Sequence, residues 1–225
     1  MKMKQTLLLL AIAQMLTLGT ESGAMLRAQE LKECEHVTLT ATADAYTTCV
    51  ATDSRNYGKE SYLKLARNNA RPARKYNIYL KFDLAAEALR GREIVGLEFG
   101  INKSEGGLSG ERRVNIAVVE DNAWSETVIS GEFRAEHPAY TQNRTISYFT
   151  KRPADNVRRY TIRSTPEQNS RLLEAVLANL QRGITELTLR LYPDEGRPDE
   201  DDKEPIYFYA REYGERAPYL TVYYK

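Results

Sequence analysis

The chain has 225 residues, 42% of them hydrophobic and 28% charged, a composition that excludes a multi-span membrane protein and argues against wholesale disorder. Lys plus Arg number 32 against 31 acidic residues, a formal net of +1, so no global charge is available to attract nucleic acid or anionic lipid. Two histidines and two cysteines are too few for most metal-hydrolase or thiol-enzyme constellations, whereas 15 tyrosines beside one tryptophan and five phenylalanines favour strands and binding faces.

Lys2 and Lys4 precede an apolar run from Thr6 to Gly19, the n-region and h-region of a secretory signal, with cleavage expected after Ala24 or Ala28. The run is too short and too interrupted for a membrane span, so the expected product is an exported single domain, residues 29–225, with no transmembrane segment after cleavage. Removing Lys2, Lys4, Arg27 and Glu21 with the leader leaves a net of −1. Export permits a disulfide, and Cys34 with Cys49 is the one intramolecular pair available. A straight strand from Val37 to Tyr46 would hold its ends ~30 Å apart, against the ~6 Å between Cα atoms that a disulfide tolerates. The bond therefore requires a bend near Thr42 or Asp44, and the sequence leaves it open.

Alternation of apolar and polar residues marks strands in chain order at Val37/Leu39/Ala41, Leu63/Leu65, Ile78/Leu80/Phe82, Leu97/Phe99/Ile101, Val114/Ile116/Val118, Leu187/Leu189/Leu191, Ile206/Phe208 and Leu220/Val222/Tyr224. Eight such runs predict an all-β domain, a jelly-roll-type β-sandwich. Ser130 to Arg163 lacks the alternation and reads as a long loop or a pair of short edge strands. Thr165-Pro166-Glu167-Gln168, followed by Leu172, Leu173, Val176, Leu177 and Leu180, predicts one peripheral helix from about Glu167 to Arg182, ended by Gly183. Its single apolar stripe suits a cover over one end or edge of the sandwich. Pro193 to Pro205 carries seven acidic residues and reads as a solvated hairpin tip, because it does not fit a calcium-binding loop.

The order of short motifs resembles a known family. Ala43-Asp44-Ala45-Tyr46, Asn56-Tyr57-Gly58, Ser61-Tyr62-Leu63 and Tyr79-Leu80-Lys81-Phe82-Asp83-Leu84 are similar to the opening of DNRLRE domains, which include the family 96 carbohydrate-binding modules. Trp124-Ser125-Glu126-Thr127 resembles that family's Trp-x-Glu segment, and Ala210-Arg211-Glu212 with Ala217 to Val222 resembles its closing motif, so the similarity runs from His36 to Lys225. Val128-Ile129 is followed by Ser130-Gly131-Glu132 in place of the family's Trp-Asn pair, and the two segments Ser130 to Arg163 and Pro193 to Pro205 are enlarged. The resemblance implies a jelly-roll module of polysaccharide-degrading systems whose ligand is a polysaccharide, alginate-like acidic glycans among them.

With the apolar positions turned inward, the alternate positions face out. From these the expected carbohydrate-binding residues are Tyr79, Lys81, Arg190, Tyr192, Tyr207 and Tyr209, with Tyr62, Lys64, Tyr219 and Tyr223 beside them. A tyrosine ring packs on the C–H face of a sugar, and Lys or Arg pairs with uronate or sulfate. The same residues are also ordinary strand formers on a passive face. His36 and His137 have no metal-ligand spacing, carboxylate pairs such as Asp83 with Glu126 are common in any sandwich, and no catalytic residue is assigned. Asp44 and Asp83 are expected in turn hydrogen bonds or paired with Arg71, Arg74 or Arg211, and Arg211-Glu212 as a structural ion pair. No cofactor is expected, a structural calcium being left open. Non-catalytic binding of an acidic polysaccharide by a secreted or cell-surface module is the leading expectation. The alternatives are a structural or adhesive surface protein making protein contacts, and a polysaccharide lyase or hydrolase.

Overall fold

The computed structural model describes residues 34–66, 75–107, 112–119, 122–136, 145–151, 161–163, 166–193 and 205–225. The expected leader and the acidic stretch 194–204 lie outside them. The strands are β1 (Glu35–Thr40), β2 (Ala43–Thr48), β3 (Tyr62–Leu65), β4 (Tyr76–Asp83), β5 (Ile94–Gly107), β6 (Arg112–Val119), β7 (Thr145–Lys151), β8 (Thr161–Arg163), β9 (Glu186–Pro193), β10 (Ile206–Tyr209) and β11 (Tyr219–Tyr224). The helices are α1 (Gly131–Glu136) and α2 (Pro166–Gln181).

These strands form two antiparallel sheets. One runs β1-β11-β5-β10-β3 with β8 beside β5, and the other runs β2-β4-β9-β6-β7. The all-β sandwich expected from the alternation is therefore the fold. Each alternating run turns its apolar row inward, so Ile78, Leu80 and Phe82 of one sheet meet Leu97, Phe99 and Ile101 of the other in one core. Phe82 and Phe99 cross between the sheets edge to face, 6.5 Å between centroids. Burying each such side chain is worth about 1.5–3 kcal/mol, which makes the two facing rows the main source of stability.

The chain does bend where a bond between the cysteines would require it. Ala41 donates to Pro218 O and Thr42 to Lys81 O, so the strand that began at Glu35 leaves one sheet and continues as β2 in the other. Even so, Cys34 and Cys49 are not joined. The bend sends β1 to an edge of the six-stranded sheet beside β11, while β2 borders β4 across the sandwich.

The peripheral helix forms within a residue of its expected bounds, and Leu172 and Val176 enter the main core. It packs on β5 of one sheet and β7 of the other, closing the gap between them. Thr165, its expected cap, lies outside the described residues. The aperiodic segment from Ser130 supplies α1, then β7 as an edge strand, then three residues of β8.

Candidate functional site: an aromatic corner on the six-stranded sheet

Alternation placed the expected site residues on outward positions, but those positions belong to two sheets. Tyr79, Lys81, Arg190 and Tyr192 sit on β4 and β9, whereas Tyr207 and Tyr209 sit on β10 of the opposite sheet. No single face holds all six.

The first group is not an open surface. Residues 122–136 run as a strap over the outer face of the five-stranded sheet, and Trp124 seats on Tyr79, which is 0% exposed. The indole N–H donates to Thr188 Oγ1 at 2.9 Å. Lys81, 8% exposed, spends its ammonium on the strap as well, donating to Asn122 O at 2.6 Å and Trp124 O at 2.7 Å and lying 3.7 Å from Glu186. Arg190 is buried with its guanidinium 4.6 Å from the centroid of the half-buried Tyr192. The expectation that Tyr79, Lys81 and Arg190 are exposed is corrected. Period-two alternation fixes which way a side chain points and carries no information about what later covers it.

The strap is held by motifs that sequence reading took as family signatures. Asn56 donates through Nδ2 to Glu126 O and, at 2.8 Å, to Ile129 O, while accepting from Gly58 N at 3.1 Å. Gly58 is the residue that lets the Glu126 carbonyl approach, since a Cβ there would collide with it. Arg211 binds Glu126 through both Nη2 and Nε, and the Arg211-Glu212 pair, 3.5 Å apart, forms as expected. Asp83 accepts from Ala85 N at 2.8 Å, a turn bond, so neither partner of the Asp83 and Glu126 pair is an uncommitted carboxylate.

Opposite this covered face, β3 and β10 pair with Tyr62 against Tyr209 and Lys64 against Tyr207. After β10 the chain makes a tight turn, Arg211–Arg216, in which Gly214 takes a positive φ of 57°, a conformation that other residues adopt at a cost. That turn folds Tyr213 back beside β3 and β10. Tyr62, Tyr209 and Tyr213 form one group, their centroids 4.6–5.7 Å apart. Tyr213 donates to the Tyr62 hydroxyl at 2.6 Å, and both rings are open to solvent at 37% and 39%. Tyr209 is buried beneath them and accepts from Arg216 Nη1 at 3.0 Å, with the guanidinium 5.1 Å from its ring.

The aromatic tract continues along β3. The Lys64 ammonium lies 4.3 Å from the Tyr76 centroid and 5.9 Å from that of Tyr207. Tyr76 meets Tyr57 and Tyr46, and the last two stack at 4.5 Å. Arg55 stands 5.7 Å from the Tyr57 ring, held there by both oxygens of Asp53. Burial pushes Tyr57 above its ordinary value, so its hydroxyl stays neutral beside these cations. Sequence reasoning named Tyr207 and Tyr209 but assigned no role to Tyr213 or Arg216. The signal was present, because a Gly between Tyr and Glu just before Ala217-Pro218 marks a turn that can bring a ring back over its own strand.

Rings open on one side and flanked by cations on a β-sandwich define a module that presents a binding surface. Residues 35–162 match the model of carbohydrate-binding module family 96, and the chain belongs to that family. The matched stretch ends within β8, yet β9, β10 and β11 complete both sheets, so the folded unit runs past it. No curated protein matches the chain.

Proposed function

We propose that the protein is an exported, non-catalytic module that binds an acidic polysaccharide through the corner formed by Tyr62, Tyr213, Tyr207, Lys64 and Arg216. One observation carries the reading: two solvent-open tyrosine rings, hydrogen-bonded to each other, stand on a packed base beside two cations, Lys64 and Arg216, that already lie against aromatic rings. Stacking on sugar C–H faces uses the rings, and the Arg and Lys heads suit uronate or sulfate. Among the expected residues Tyr207 and Tyr209 fall within this corner, Tyr209 as its support. Tyr192 remains half-exposed on the other sheet and takes no part.

The reading is tested by affinity electrophoresis of the chain from Gln29 onward through gels containing alginate, pectin, a sulfated glycan or a neutral glucan, with and without calcium. Retardation by the acidic gels, weakened by salt as exposed charge pairing is, is the expected result. Retardation by none would overturn it in favour of a structural or protein-binding role, and release of shortened or unsaturated glycan would reveal a lyase or hydrolase.

A further inference from the structure

The turn that presents Tyr213 and Arg216 is tethered at both ends. At its exit Asn102 Nδ2 donates to Arg216 O at 3.2 Å. At its entry the backbone N–H of Arg211 donates to Asp44 Oδ2 at 2.7 Å, and Asp44 is 1% exposed. The N–H of Asp44 in turn donates to Glu126 Oε1 at 2.9 Å, on the carboxylate that the Arg211 side chain binds. One oxygen from each of Asp44, Glu126 and Glu212 lies within 4.8 Å of the other two. Three carboxylates therefore share one guanidinium inside a partly dry cluster. The charged groups facing Asp44 are Glu126 from the strap and Arg211 and Glu212 from the turn, while its partner across β4 is the apolar Leu80.

Removing water from a carboxylate disfavours its charged form, and neighbouring carboxylates act in the same direction. Burial, opposed by the Arg211 N–H and helped by Glu212 and Glu126, pushes Asp44 up to about 7. A neutral Asp44 still accepts the Arg211 N–H and leaves the guanidinium to Glu126 and Glu212. An ionised Asp44 adds an unmatched negative charge at the root of the turn.

We infer that Asp44 is a positioning residue for the aromatic corner: its protonated carboxyl seats the turn carrying Tyr213 and Arg216, and its ionisation loosens that turn and weakens glycan binding. The inference rests on the corner being the glycan site.

The test measures retardation in alginate gels from about pH 5.5 to about pH 8.5, alongside the ring resonances of Tyr213 in the glycan-free protein, assigned with Tyr213→Phe. Binding is expected to weaken about threefold to tenfold as pH rises, with the Tyr213 resonances moving over the same interval. Asp44→Asn should hold both near their low-pH values throughout, and Glu212→Gln, a second variant should the first fail to fold, should shift the midpoint downward. His36→Gln controls for the imidazole on β1 and should leave the profile intact. A flat profile, an Asp44→Asn profile equal to that of the parent, or immobile Tyr213 resonances would overturn the inference. If alginate retards the protein at no pH, the glycan reading falls while the Tyr213 titration still decides what Asp44 does.

Discussion

Trp124 meets Tyr79 edge to face, 6.3 Å between centroids, and this contact turns the outer side of the five-stranded sheet into a second small core. Ala45, Val119 and Ile129 complete that core. On the other sheet, which carries the proposed site, no strap among the described residues covers Tyr62 and Tyr213.

Trp124→Ala should therefore cost about 3–5 kcal/mol, the range for truncating a large buried aromatic. The loss includes the bond to Thr188 and the cover over Tyr79 and Lys81. Denaturant titration measures it. A cost below ~1 kcal/mol would mean that the strap is not a folded part of the domain.

Lys81→Met keeps the length of the side chain and removes its charge. Two strap carbonyls lose their donor, so the substitution should destabilise by about 1.5–3 kcal/mol, the scale for hydrogen bonds to a charged group. Glycan retention by the folded fraction should be unchanged. A selective loss of retention at full stability would return the site to the five-stranded sheet.

Tyr213→Ala and Tyr62→Ala remove half-open rings and one hydroxyl bond. Each should reduce affinity for an acidic glycan by about fivefold, close to 1 kcal/mol of stacking. Their effects should not add, because the two rings share one hydrogen bond and one base in Tyr209. Gel retardation compared with the urea midpoint of each variant separates binding from stability.

Asp53 should govern part of the acid limb of unfolding. Hydrogen bonds from the Arg55 side chain lower it to about 2, with burial opposing and Thr48 adding to the effect. A carboxyl lowered in the folded state contributes stability above its unfolded value near 4, and that contribution disappears as pH falls through about 2. Asp53→Asn should therefore be less stable than the parent above about pH 4 and approach it near pH 2. Thermal midpoints across that interval check the sign, and a constant offset would sink it.

The strands were legible because alternation and burial share a cause. Ile78, Leu80 and Phe82 had to face a core, and the sheet pleat allows one way of doing it. The helix was legible through Pro166, the leucine stripe and Gly183. The edge strand β7 was foreseen only as a vague stretch, since its sequence lacks the alternation that a two-sided environment imposes. Motifs read as family signatures share a structural role, since Asn56, Gly58, Glu126 and Arg211 all hold the strap in place.

The sequence by itself determined a β-sandwich, its inward rows and the excess of tyrosine on the outward ones, because side-chain periodicity is a local property of each strand. Tertiary structure decided which outward tyrosines remain in contact with water. Tyr79 and Tyr213 are the same residue type with the same intrinsic value as a sugar platform; a strap 45 residues downstream buries the first, and a six-residue turn lifts the second into solvent. Those are long-range packing choices, set by free energy gained between segments rather than within them.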